Sequence, residues 1–145
     1  MLKRNEYDAG TDQYHPCQGL ADLLTIREHK GAFKGLKVAY AGDVWNVCQS
    51  MMTICAMTGM DCYVAHPEDY TPYPEAWENA QRFASDSGAK LVLTQDLDEA
   101  VEGADVVVAN TWHSMGGPEK TKEQRILDFR PFQITPAVME RAKPD

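Results

Sequence analysis

The chain has 145 residues and a formal net charge of −8, with 43% hydrophobic and 25% charged side chains. This is one domain's length, enough to bury roughly 70% of the unfolded surface, with an ordinary globular composition. The acidity and the lack of any basic run argue against a nucleic-acid partner. No apolar stretch approaches the ~18 residues of a membrane span, and the opening Met1–Glu6 does not read as a signal peptide.

In chain order, residues 1–14 are polar and read as an irregular lead-in. Pro16 is placed to open a helix that runs through Leu20, Leu23, Leu24 and Ile26 at helical spacing and closes at Gly31. Leu36–Ala41 reads as the first strand, Gly42–Asn46 as a turn, and Val47–Met57 as the next helix, ended by Gly59. Asp61–Ala65 is the second strand. A proline-rich loop from His66 to Pro74 leads to a helix over Glu75–Ser87, with Trp77, Ala80, Phe83 and Ala84 on one face. Lys90–Thr94 is the third strand, and a short helix starts near Asp96. Val106–Ala109 is a β-branched run without alternation, which suits a parallel strand covered on both faces. A charged helix is expected over Glu119–Phe129, with Ile126, Leu127 and Phe129 as its apolar contacts. Phe132–Ile134 reads as a short extended piece, and Thr135–Ala142 as a capped helix with Pro136 at its first position.

Strands alternating with helices imply an α/β fold, a doubly wound parallel sheet of Rossmann-like, three-layer αβα form. The expected strand order is 3-2-1-4, with the switch point between strands one and four. No strand follows the last helix, so a strand that should cover strand four is expected to be missing and the domain to be incomplete at its C-terminus.

The switch point is where polar chemistry gathers. Immediately after Ala109, Asn110, Thr111, His113 and Ser114 offer donors and acceptors, and Gly116-Gly117 frees the backbone. His15 and Gln18 sit at a helix N-terminus, where N–H groups and the dipole favour an oxygen-rich ligand. Dinucleotide binding does not fit. After the first strand a single glycine, Gly42, is followed by Asp43, Val44 and bulky Trp45, where a pyrophosphate needs three spaced glycines. Cys17, Cys48, Cys55 and Cys62 form no C-x2-C pair, so no metal site is expected. They read as reduced core thiols of a cytoplasmic protein. No cofactor is expected.

The motifs His15-Pro16-Cys17-Gln18, Gly35-Leu36-Lys37-Val38, Gly42-Asp43 with Asn46, and Trp112-His113-Ser114-Met115-Gly116 occur in a telling order. With Phe132-Gln133-Ile134 and Ala142-Lys143-Pro144-Asp145, that order and spacing resemble the second, ornithine-binding domain of the ornithine carbamoyltransferase family. The resemblance implies an amino-acid-binding domain over residues 15–145. It implies transfer of a carbamoyl group from carbamoyl phosphate to the δ-amine of ornithine, giving citrulline and phosphate. His15 and Gln18 would contact the carbamoyl group as catalytic residues. Asn46, Asn110, Ser114 and Met115 would hold the amino acid.

The sequence also departs from the family pattern. Asn110 stands where the family usually has Asp, and Val44-Trp45 replaces the usual Gly-Asn. The carbamoyl-phosphate domain and the His-Cys-Leu-Pro segment are missing, so the chain alone is expected to be inactive, and a homotrimer is expected only of a full-length enzyme. A carbamoyltransferase for a different amine, or a non-catalytic amino-acid-binding or interaction module, stands as the alternative.

Overall fold

The computed structural model describes residues 11–113 and 120–144. Its elements in chain order are α1 (Pro16–Lys30), β1 (Lys37–Ala41), α2 (Asn46–Thr58), β2 (Asp61–Ala65), α3 (Pro74–Ser87) and β3 (Leu91–Thr94). Then come α4 (Leu97–Val101), β4 (Val106–Ala109), α5 (Lys122–Phe129), a 3-10 turn over Arg130–Phe132, and α6 (Pro136–Met139). The described strands form one four-stranded sheet in the order β3-β2-β1-β4, as expected. All pairings are parallel, and Ala41 at the end of β1 lies between Ala65 of β2 and Ala109 of β4. The C-terminal ends of the three strands are therefore level, and the segments that leave them start side by side.

Alternation along β1 sorts the core into two unlike faces. Val38 and Tyr40 join Cys62 and Val64 against Cys48, Met51, Met52 and Cys55 of α2. Ala39 and Ala41 join Ala65 against Leu97, Ala100 and Val101 of α4. The first face uses long, adaptable side chains; each fully buried Met there contributes about 1.5–3 kcal/mol of apolar transfer. The second uses alanines, which let α4 approach closely.

Side-chain caps start the shorter helices. Asp96 accepts from the N–H groups of Asp98 and Glu99, Thr121 from Gln124 and Thr135 from Val138. Each satisfies donors that a helix start leaves unpaired.

Several elements differ from the sequence reading. Of Phe132–Ile134, read as extended, Phe132 is not: Pro131 has the fixed φ of a helical turn, so Arg130–Phe132 continues as 3-10 and delivers Phe132 to the alanine face, and the backbone becomes extended at Gln133. The last helix is shorter than Thr135–Ala142 and gives way to turns, with Arg141 N–H donating to Val138 and Ala142 N–H to Met139. On α1, Leu20 and Leu24 are exposed while Gly19 and Ile26 are buried. The reason is that α1 meets α2 through Gly19, where a Cβ would lie 3.4 Å from the Cβ of Ser50. One residue further on turns ~100° away from that contact. On α5, Arg125 and Phe129, one turn apart, are buried, and Ile126 and Leu127 face outward. Cys48, Cys55 and Cys62 are buried free thiols, but Cys17 is exposed.

Candidate functional site

The turn after β1 and the loop after β4 meet, because their strands are neighbours that end at the same level. Gly42 has φ +148°, and a Cβ there would lie 2.8 Å from the Asn110 carbonyl oxygen. Only glycine lets the two backbones approach this closely. The Asp43 N–H donates to the Thr111 carbonyl at 3.1 Å. Asn110 donates its side-chain Nδ2–H to the Tyr40 hydroxyl at 2.7 Å, and that hydroxyl donates to the Asp43 carbonyl at 3.1 Å. Burial is the main reason the Tyr40 hydroxyl is held well above its ordinary pKa, so it stays a donor. The Asn110 Oδ1 accepts from Thr111 N–H at 2.8 Å. The amide of Asn110 is thus used at both ends within the protein.

Asn46 opens α2. Its Nδ2 donates to the Thr11 carbonyl at 2.6 Å, and its Oδ1 accepts from Val47 N–H at 2.8 Å. One turn further, buried Gln49 donates to the Gln13 carbonyl at 3.1 Å and accepts from Tyr73 N–H at 3.0 Å. These bonds fasten residues 11–14 across the start of α2. Trp45 leans on Tyr73 with ring centroids 5.4 Å apart, and Val44 is buried in the core.

His15 is the N-cap of α1. Its Nδ1 accepts from Gln18 N–H at 3.4 Å, and its own backbone N–H donates to the Ser50 hydroxyl at 2.8 Å. Ser50 lies one turn after Asn46 on α2, so the tip of α1 is tied to the helix that carries Asn46. Gln18 donates to Asp22 at 2.9 Å. Gln18, Asp22, Val47, Val108, Ala109 and Asn110 line one hollow of about 210 Å³. The structure therefore brings Gln18 and Asn110 to one hollow, with Asn46 beside its rim residue Val47. Among the described residues no hydrogen bond joins the side chain of His15 to Asn46 or Asn110. Ser114 and Met115 lie outside the described residues. Among the described residues there is no cluster of His, Cys, Asp or Glu able to hold a metal ion, and no helix is long and apolar enough to cross a membrane.

Sequence reasoning missed Arg125. It is 1% exposed. Its Nε donates to the Trp112 carbonyl at 2.6 Å, and its Nη2 stands 2.5 Å from the Asp43 carboxylate, itself 2% exposed. The guanidinium lies over the rings of Tyr70 and Phe129, 4.9 and 5.6 Å from their centroids. Nη2 and the carboxylate form an ion pair, and among the described residues Nη1 has no acceptor. The ion pair with Asp43 and the hydrogen bond to Trp112 together hold the group there. Burial, with a hydrogen bond to Asp128, pushes the Tyr70 hydroxyl up to about 12. A signal was available: Arg125 lies one turn before Phe129, which reads as an apolar contact of this helix, so the two share a face.

A parallel sheet with its switch point between β1 and β4 defines a doubly wound α/β domain, a class in which small molecules bind at the switch point. The chain belongs to the family described as aspartate/ornithine carbamoyltransferase, Asp/Orn binding domain, whose model matches residues 34–145. It is 48% identical over 135 residues to ornithine carbamoyltransferase of Bacillus subtilis, a match covering 93% of this chain and 42% of that protein. Among solved structures, anabolic ornithine carbamoyltransferase from Campylobacter jejuni superposes with a TM-score of 0.85 at 40% identity, covering 95% of this chain and 46% of that one. The Pyrococcus furiosus enzyme gives 0.83 at 43% identity, covering 92% and 42%. The chain spans less than half the length of each of these relatives.

Proposed function

We propose that residues 15–145 form the amino-acid-binding domain of a carbamoyltransferase that moves the carbamoyl group of carbamoyl phosphate onto the δ-amine of ornithine, releasing citrulline and phosphate. The observation that carries this reading is the join between the turn after β1 and the loop after β4, with Asn46 and Asn110 on its two sides. The family match supplies the chemistry to expect there.

In this reading His15 donates to the carbamoyl oxygen as negative charge builds on it, and Gln18 accepts from the carbamoyl NH2. Asn46, Asn110, Ser114 and Met115 hold the α-carboxylate and α-amine. Alignment of amine and carbonyl supplies most of the remaining acceleration. Ornithine would have to compete with the Thr11 carbonyl for the Asn46 amide, which makes residues 11–14 part of the binding equilibrium. Carbamoyl phosphate itself would be held by a second domain, and the whole enzyme would be a cytoplasmic homotrimer.

Asn110 favours a second reading, in which the acceptor is a related amine rather than ornithine. A carboxylate there would give an α-ammonium a charge-assisted bond about twice as strong as a neutral one; Asn110 offers no charge.

The test joins this chain to a carbamoyl-phosphate domain from a relative and measures phosphate release. Release that depends on ornithine supports the first reading, and release that depends only on another amine supports the second. If no amine sustains turnover, the enzyme reading fails and a non-catalytic binding or interaction module replaces it.

A further inference from the structure

We propose that Asp43 and Arg125 are positioning residues, a buried charge pair that fixes the turn carrying Asn46 relative to the loop carrying Asn110. Every polar function of Asp43 leads to the loop after β4. Its N–H donates to Thr111, the next residue after Asn110, at 3.1 Å. Its carbonyl takes the Tyr40 hydroxyl, which in turn takes the Asn110 amide. Its carboxylate meets Arg125, whose Nε holds the carbonyl of Trp112 at 2.6 Å. Three consecutive loop residues are thus referred to one residue of the opposite turn.

A core role alone does not account for this pair. Apolar side chains in place of both members would leave no charge to desolvate, and such replacements of whole buried ion pairs are often neutral or stabilising. An apolar side chain could not hold the Trp112 carbonyl and face the Asp43 carboxylate at the same time. Only the planar guanidinium, with donors spread along a rigid fork, reaches both. Those two contacts, one to each side of the join, set where the guanidinium lies.

The importance of this spacing rests on the proposed amino-acid-binding role of Asn46 and Asn110; the spacing itself does not. The test uses the 145-residue chain labelled with nitrogen-15 and three variants, Arg125→Lys, Arg125→Met and Asp43→Asn. Amide exchange is read residue by residue. In Arg125→Lys, the Asp43 N–H should exchange at least tenfold faster and the Asn110 side-chain amide resonances should move. The β1 and β2 amides of Val38, Tyr40 and Val64 should keep their rates. Asp43→Asn should speed the Asp43 N–H at least tenfold more than it speeds the amides of Val38, Tyr40 and Val64, whose rates follow global stability. A uniform acceleration across the sheet, or an unchanged Asp43, overturns the proposal. If Arg125→Met does not fold, Arg125→Lys carries the test, and if neither folds the pair belongs to the core alone and the proposal is overturned. Titrating L-ornithine into the wild-type chain separates the two ideas. Local exchange effects without ornithine shifts at Asn46 and Asn110 keep the positioning role and count against the binding role, and the reverse result does the opposite.

Discussion

The two ends of the β1–β4 pair are both braced by a carboxylate, under opposite conditions. At the C-terminal end Asp43 faces Arg125 with both side chains almost wholly buried, at 2% and 1% exposure. At the N-terminal end Asp105 accepts from Lys37 N–H at 2.8 Å and from the Lys143 ammonium at 2.7 Å. There the lysine is 55% exposed and the aspartate 13%. The same pairing of charges has different consequences because water reaches one lysine and not the arginine. A solvated cation can leave its partner at little cost, whereas a buried one leaves behind a stranded charge. The rigid brace stands at the end where the candidate site lies, and the looser one at the end that only closes the sheet.

The largest expected effect follows from stranding a charge. Arg125→Met or Asp43→Asn should each destabilise the chain by about 3–5 kcal/mol in urea unfolding, as expected for breaking a buried pair. The double variant should lose much less than the two losses added, since neither charge is then left alone. Single losses below about 1 kcal/mol would show that the pair is not desolvated in solution and would remove the contrast between the two ends. Next in size is Gly42→Ala. Its Cβ would meet the Asn110 carbonyl at 2.8 Å from a positive-φ backbone. The loss should be about 1–3 kcal/mol, the usual range for overpacking, with amide shifts concentrated at Asp43 and Thr111. Shifts spread evenly over the sheet would mean that the close approach at Gly42 is not what aligns the two segments.

Much of the fold was legible because periodicity and breakers agree. Asp61–Ala65 stands as read, the strand order follows from alternating elements, and Thr135-Pro136 does start a helix. The site was legible as far as its turns: a strand that gives way to Asn110, and Gly42 where two backbones meet. The burial of that strand was not, because β4 stands at the sheet edge with its valines half-buried and Ala109 exposed. What could not be read is which polar groups are already in use. Asn46 is bonded to Thr11 and Asn110 to Tyr40, pairings set by chain segments far apart in sequence. Arg125 was hidden for a related reason. An arginine on a charged helix looks solvated until the sheet shows that a carboxylate and two rings lie behind it. Leu20, Leu24, Ile126 and Leu127 show the converse, since apolar spacing along one helix does not reveal which of its faces a neighbour covers.

The smallest effects belong to the solvated end and carry a pH signature. Burial alone would raise the Asp105 carboxyl, but the Lys143 ammonium and the Lys37 N–H outweigh it and hold the group below its ordinary range. A carboxylate with a depressed folded pKa adds stability that is complete above its unfolded value, about 3.9. That stability is lost as pH falls through the folded value. Asp105→Asn should therefore lower stability by about 1 kcal/mol near neutral pH, where the Lys37 N–H keeps only a weaker acceptor. The gap in Tm between wild type and variant should stay constant from pH 8 to pH 5 and close as the solution is acidified below 3.9. Lys143→Ala should cost only about 0.2–1 kcal/mol, and less in high salt, because its partner keeps the Lys37 N–H and access to water. If Lys143→Ala proved as costly as Arg125→Met, the exposed brace would be as strong as the buried one, and desolvation would not be what separates the two ends of the sheet.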